Sequence, residues 1–467
     1  MFDTLVQGGM IVNATGQMQA DVAIHKGIIV GVGQYYQPND ARQVIDAGGL
    51  LVLPGLVDPH VHYNLPFMGT VTRHGFFSGS IAAAAGGVTT IVDFAFQEPG
   101  RPMMAAVQAR LAEAAGEASV DYSFHAVFTD VNHTTPNQLP ALIEAGIASW
   151  KIFMAYRRQG FMVDDGGLYA LLKASSQLPC IGIVHPENAA IIEHLIDQFL
   201  AEGKVSPRYH AFSRPPLAEA EAVSRAARLA GACGTPLYLF HLSSADALAE
   251  LQAAQANGWP IYGETCPHYL CLDETLYDRP DDGYNWCMSP PLRNQAHRDA
   301  LWEGLARGTL SIVSSDDGAF DAESKARGSS SFDQIPNGIP GVETRLPLLY
   351  SEGVLPGRIT LERLVAVCSA NPARLLGMYP RKGIIAAGSD ADIVLFDPNA
   401  KRTLSLKNSH MQAGWHPYEG WQAQGLPVVT LAHGQIIMKD DEFCGRQGAG
   451  QFIRRRFDPA LRRNAVL

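Results

Sequence analysis

Apolar positions recur along the chain with two different rhythms, and their alternation predicts its elements. Runs rich in Val, Ile and Phe, bounded by Gly, Pro or Asn, read as buried strands: Leu50–His62, Val88–Phe94, Tyr122–Phe128, Ser149–Phe153, Cys180–His185, Pro236–His241, Pro260–Thr265 and Leu310–Asp316. Between them lie Ala- and Leu-rich runs with helical spacing, among them Ala105–Ala115, Leu217–Ala230 and Ala245–Ala256. Strand and helix alternating in this way predict an α/β fold, a (β/α)8 TIM-like barrel.

The two ends of the chain have a different pattern. Thr4–Val6, Met10–Val12, Asp21–Ile24 and Ile28–Val32 near the start are short strands separated by turns, as are Ala391–Phe396, Val428–Leu431 and Gln435–Met438 near the end. Strands this short need a partner sheet to bury both faces. The ends are therefore expected to assemble into one smaller β-sandwich from residues 1–53 and 381–442, with the barrel inserted as residues 54–380. Residues 443–467 follow as an extension mixing Gly with Arg454, Arg455 and Arg456 and the aromatics Phe452 and Phe457. It reads either as a frayed tail or as an arm reaching a neighbouring subunit.

Composition narrows the class. A chain of 467 residues with 47% hydrophobic and 18% charged residues suits a well-packed enzyme with a large barrel and a second domain. The net charge of −10 and the lack of a long basic run argue against nucleic-acid partners. Seven scattered cysteines without CxxC spacing read as reduced thiols, and neither a signal peptide nor a membrane span is evident, so a cytoplasmic protein is expected.

The strand ends carry the chemistry. Side chains alternate along a strand, so His60 and His62 point the same way and can reach one ion. Lys151, His185, His241 and Asp316 stand on or at the ends of the fourth, fifth, sixth and eighth runs, and barrels place their chemistry on that face. Histidines with a carboxylate suit a pair of divalent ions such as Zn²⁺. The lysine is the odd member, because a protonated amine repels cations. Either it pairs with Asp316 in the barrel core, or CO₂ converts it into an anionic carbamate able to bridge two metals about 3.5–4 Å apart. His125 and His268 also lie near strand ends and are assigned structural roles.

A longer set of motifs carries a resemblance. Asp58-Pro-His-Val-His62, Pro66-Phe-Met-Gly-Thr70, Lys151-Ile-Phe-Met-Ala-Tyr156, Val184-His-Pro-Glu-Asn188, His241-Leu-Ser-Ser244, Glu264-Thr-Cys-Pro-His-Tyr269, Ser289-Pro-Pro-Leu-Arg293, Ser315-Asp316, Pro336-Asn-Gly338 and Gly388-Ser-Asp-Ala-Asp392 occur in order. In this set the chain resembles the hydantoinase/dihydropyrimidinase group of cyclic amidohydrolases. The resemblance implies two divalent metal ions, Zn²⁺ by expectation. His60, His62 and Asp316 would hold one, His185 and His241 the other, and N6-carboxylated Lys151 would bridge them together with a hydroxide. It further implies that Asp316 moves the proton, that Tyr156 donates to the oxyanion, and that Ser289 and Asn337 bind the ring amide. The substrate implied is a small cyclic ureide, a 5-substituted hydantoin or a dihydropyrimidine, opened to an N-carbamoyl amino acid. Leu65, Phe67 and Phe96 are expected to line the pocket for the ring substituent. The resemblance also implies a homotetramer reached through the C-terminal extension.

Three contrasts limit the reading. Dihydroorotases carry Arg two positions after the second His of the HxH pair, where this chain has Asn64, so a carboxylate-bearing ring is disfavoured. Allantoinase is the alternative enzyme, and a non-catalytic scaffold of the same fold is the alternative of another class. All six ligand positions are present, which speaks against the scaffold. The group usually shows His after the position of Asp316, whereas here Asp317 follows. Either Asp317 adds negative charge beside the metals, or it points outward into the helix layer and pairs with a cation there.

Overall fold

The computed structural model describes residues 1–463 and residue 467. Its centre is a parallel sheet of eight strands, β1 (Leu56–Asp58), β2 (Val88–Phe96), β3 (Asp121–Val127), β4 (Ser149–Phe153), β5 (Ile181–His185), β6 (Leu237–Leu239), β7 (Ile261–Thr265) and β8 (Ile312–Val313). Each strand pairs with its neighbour in chain order. Between β8 and β1 the ring is closed by two bonds: His62 N–H donates to the Asp317 carbonyl (2.9 Å) and Asp317 N–H to the His60 carbonyl (3.3 Å). The sheet is thus a TIM-like barrel, and the closure sits where the strands finish.

Alternation along each strand sorts the side chains. On β4, Trp150 and Ile152 pack into the helix layer, while Lys151 and Phe153 turn to the inner face and line the cleft. On β5, Ile181 and Ile183 fill the interior and His185 tops the same face. Helices such as Met103–Ala114, Pro216–Cys233 and Ala245–Ala256 cover the outside with Ala and Leu.

Two corrections to the strand pattern follow. The run Leu50–His62 is two strands, Leu51–Pro54 and β1, parted at Gly55. A Cβ at Gly55 would lie 2.2 Å from Thr89 Oγ1, so only glycine lets the chain cross from one sheet to the other there. The sixth and eighth ladders also end early, at Leu239 and Val313, because His241 (φ 41°) and Asp316 (φ 48°) have left-handed backbones that a strand cannot hold.

The chain ends form two further sheets. One has four strands in the order Ile28–Gly33, Asp21–His25, Phe2–Gln7, Ala41–Asp46. The other has seven and places Leu51–Pro54 between Met10–Asn13 and Ile393–Thr403. Val6, Val22, Ile24, Ile393, Leu395 and Leu431 from both sheets share one apolar cluster.

The C-terminal segment runs across the face where the barrel strands begin. Tyr122 N–H donates to the Gln451 carbonyl (3.0 Å), Ile453 N–H to that of Tyr122 (2.7 Å), and Arg455 N–H to that of Gly146 (2.9 Å). The Arg455 side chain enters the barrel and donates to Ser123 Oγ (2.8 Å) and Ser149 Oγ (2.7 Å). Phe457 and Leu461 close the interior beneath Ile181 and Ile312. The segment is therefore built into this chain's own barrel, and residues 464–466 of the expected extension lie outside the described residues.

Candidate metal centre and active-site cleft

His60, His62, Lys151, His185, His241 and Asp316 all line one narrow cleft at the end where the strands finish. Tyr156, Ser289 and Asn337 line it as well, together with Leu65, Phe67 and Phe96. Sequence positions far apart are thus brought to one wall by strand alternation and by the turns after β4, β6 and β8. Tyr156 (φ 64°), His241 and Asp316 all have left-handed backbones, which cost non-glycine residues on the order of 1–3 kcal/mol each. Strain of this kind concentrated on one wall marks a site whose side-chain directions matter more than local stability.

The donors converge tightly. His60 Nε2 lies 3.2 Å from His62 Nε2 and 2.9 Å from Asp316 Oδ1, and His62 Nε2 lies 3.3 Å from the same oxygen. His60 Nδ1 is engaged by Glu264 Oε1 at 2.7 Å, which turns Nε2 to the cleft. Glu264 also accepts from the Tyr238 hydroxyl and from His241 N–H (3.2 Å). On the other side His185 Nε2 meets Glu187 Oε2 at 2.6 Å, and Arg214 holds that carboxylate at 2.7 Å. The His185 and His241 rings lie 4.5 Å apart.

Burial shapes the charges. It lowers His62 to about 4 and Lys151 to about 7, and it lowers His185 and His241 as well. For His60 burial works against the charged form, but Asp316 and Glu264 outweigh it and the imidazole is held above its ordinary value. Burial likewise opposes ionisation of Asp316, yet His60 and His62 hold its carboxyl well below the usual range. Burial raises the Tyr156 phenol, keeping it a donor at neutral pH.

A model of the Amidohydrolase family matches residues 51–419. The chain belongs to the amidohydrolase family. A D-hydantoinase from Geobacillus stearothermophilus is 42% identical over 454 residues, 97% of this chain and 96% of that protein. A D-phenylhydantoinase from Escherichia coli is 40% identical over 455 residues, 97% of this chain and 98% of that protein. The crystal structure of a dihydropyrimidinase from Brevibacillus agri matches with a TM-score of 0.95 at 42% identity, covering 97% of this chain and 99% of that one.

The amidohydrolase cleft has the donor set for divalent cations. His60 Nε2, His62 Nε2 and Asp316 Oδ1 lie within 3.3 Å of one another, a nitrogen and oxygen ligand set of the kind that divalent cations take. One ligand atom each from His60, His62 and Asp316 lies within 4.8 Å of the others. His62 Nδ1 and His241 Nδ1 are buried without a hydrogen-bond partner among the described residues. Lys151 Nζ lies 4.2–4.6 Å from the ring centroids of Phe94, Phe153 and Phe240 and forms no hydrogen bond or ion pair among the described residues. The core pairing of Lys151 with Asp316 is therefore not made.

Several contributors were not legible as site residues in the sequence. Glu187 and Glu264 stand inside quoted motifs, yet only the fold shows that they aim His185 and His60. Phe153 and Phe161 complete the apolar wall that Leu65, Phe67 and Phe96 begin. His125 turns away from the cleft, meeting Ser149 Oγ (2.6 Å) and the Pro59 carbonyl (3.0 Å), and His268 is buried beside Tyr269.

Asp317 faces outward. Its Oδ2 meets His74 Nδ1 at 2.6 Å, and its Oδ1 accepts from Gly341 N–H (2.8 Å) and Val342 N–H (3.2 Å). His74 Nε2 accepts from Gln412 N–H (3.2 Å), so Nδ1 carries the proton given to Asp317. Asp317→Asn presents an amide N–H to that proton or withdraws an acceptor from the two backbone donors. The expected cost is about 2 kcal/mol of stability. A lowered Tm with an unmoved acid limb of the pH–rate profile is the predicted outcome, and an acid limb that moves down would return Asp317 to the electrostatics of the site.

Proposed function

We propose that the protein hydrolyses the cyclic amide bond of a cyclic ureide, a 5-substituted hydantoin or a dihydropyrimidine, and releases an N-carbamoyl amino acid. The observation that carries this reading is the meeting, in one cleft, of the His60–His62–Asp316 donor group with the phenol of Tyr156. The names of the relatives support the substrate class. In this reading His60, His62 and Asp316 hold one divalent ion and His185 and His241 a second, with Zn²⁺ the preferred metal. Lys151, once its amine had added to CO₂ and lost a proton, would supply a further carboxylate ligand. The metals, when bound, lower the pKa of water towards ~7 and polarise the attacked carbonyl.

The chain's own residues do the rest. Asp316 accepts the proton of the attacking water and returns it to the ring nitrogen as the C–N bond breaks. Tyr156 donates its hydroxyl proton as a hydrogen bond to the oxygen that gains charge. Asn337 Oδ1 is a buried oxygen without a hydrogen-bond partner among the described residues, Ser289 Oγ stands beside the Tyr156 hydroxyl, and both suit the N–H groups of the ring. Phe67, which packs edge-on to Tyr156 at 5.4 Å between centroids, joins Leu65, Phe96, Phe153 and Phe161 in an apolar rim for the substituent. We also propose that the two terminal sheets act as one β-sandwich and that the enzyme is a cytoplasmic homotetramer.

Incubating the metal-loaded protein with dihydrouracil, hydantoin, phenylhydantoin and allantoin tests the reading. Ring opening of the first three is expected, allantoin as sole substrate replaces the hydantoin reading with the allantoinase one, and no turnover of any overturns both. Tyr156→Phe should lower kcat roughly 10²-fold with little change in KM, as loss of one oxyanion donor does. A change confined to KM would reduce Tyr156 to a binding role.

A further inference from the structure

Besides Lys151, the chain buries a second lysine near the cleft, and the proposed chemistry gives it no part. Lys325 is fully buried on the helix Ala322–Gly328 and has no carboxylate partner among the described residues. Burial without a counter-charge pushes its amine down to about 7, and an amine hidden from water needs acceptors to replace its hydration. Its Nζ donates to the Cys287 carbonyl at 2.8 Å and to the Pro336 carbonyl at 2.9 Å. Cys287 stands two residues before Ser289, and Pro336 stands next to Asn337. Gly338 N–H donates to the same Cys287 carbonyl at 3.1 Å.

Among the described residues the hydrogen bonds that tie the two loops together are these, since the strands of the barrel sheet include neither loop. Two carbonyls facing each other repel unless a donor sits between them, and a lysine amine has donors enough for both on a stem long enough to reach. The helix that carries it is itself fixed. Asp321 caps it by accepting from Ser324 N–H (2.6 Å), and Asp321 also pairs with Arg73, which follows the hairpin after β1. Lys325 does not line the cleft, so it touches no substrate.

We infer that Lys325 is a positioning residue for substrate binding: it clamps the Ser289 loop to the Asn337 loop and so presents Ser289 Oγ and Asn337 Oδ1 together to the ring N–H groups. The inference rests on the cyclic-ureide reading given above. Oxygens held in place before binding spare the ordering cost that loose loops would pay on each encounter.

Lys325→Met keeps the length of the side chain and removes every donor. Expected are a KM for the cyclic ureide raised about tenfold, as for loss of buried hydrogen bonds, with kcat and metal content near those of the parent. In a Ser289→Ala/Asn337→Ala background the same change should add almost nothing, because the oxygens it positions are gone. Lys325→Gln, which keeps two N–H donors on a shorter stem, should fall between and serves if the Met variant does not fold. Faster amide exchange at residues 287–289 and 336–338 in the variant is the readout that needs no substrate. A protein that opens no cyclic ureide sinks the functional reading, and the exchange measurement then decides the clamp alone. Unchanged KM and exchange in the Met or Gln variant would overturn the inference, as would an equal KM effect in the double-alanine background.

Discussion

Lys151→Ala is expected to yield a folded protein that has lost most of its bound metal and at least about 10³-fold in kcat/KM, since hydrolysis loses the centre that generates its nucleophile. The fold should survive because the amine contributes no hydrogen bond or ion pair to it among the described residues, and the three rings that its nitrogen faces, Phe94, Phe153 and Phe240, belong to one apolar cluster. Burial already holds that amine near 7, so a share of it is unprotonated at neutral pH. That is the form that adds CO₂. Lys151→Arg separates the two possible uses of the position: a guanidinium keeps the cation but forms no carbamate, so the Arg variant should be as inactive as the Ala variant. Added acetate or propionate should restore part of the metal content to Lys151→Ala by supplying a carboxylate in the vacated space. Metal stoichiometry by atomic emission, turnover and far-UV circular dichroism check each point. Parent-like metal content and activity in Lys151→Ala would sink the two-metal proposal.

How far the sequence reaches differs from residue to residue. The barrel was legible because its strands and helices have distinct periods, and Lys151 and His185 were legible because their strands alternate without interruption. Leu50–His62 was misread as one strand because Gly55 breaks direction, not composition: the apolar run continues across the crossing from the terminal sheet into the barrel. The partners that aim the histidines were out of reach for another reason. Glu264 lies 204 positions from His60, and no local pattern signals which strand ends face each other across the barrel. Arg455 is the extreme case. A tail rich in Arg and Gly reads as surface, and it takes the fold to show that the hydroxyls of Ser123 and Ser149 and the carbonyl of Phe124 accept from a buried guanidinium. The orientation of Asp317 sits between these cases. Alternation next to Asp316 suggested an outward side chain, but naming His74 as its partner needed the fold.

Asp316→Asn isolates charge from shape, and kcat should fall by at least ~10²-fold. Asparagine matches aspartate in volume and tolerates the left-handed backbone of this position (φ 48°), so the turn after β8 keeps its course. His62 N–H still donates to the Asp317 carbonyl, so the barrel stays closed. What changes is the atom that faces His60 Nε2 at 2.9 Å and His62 Nε2 at 3.3 Å. The parent carboxyl is held ionised there by His60 and His62 against the cost of burial, ready both to ligate and to accept a proton. An amide oxygen is a weaker ligand and cannot carry the proton from water to the leaving nitrogen, so both roles fail together. Their separation lies in the metal content. Turnover lost with metal retained assigns the loss to proton transfer, whereas metal and turnover lost in parallel assign it to ligation. Parent-like kcat in a variant that binds its full metal complement would remove Asp316 from the proton path.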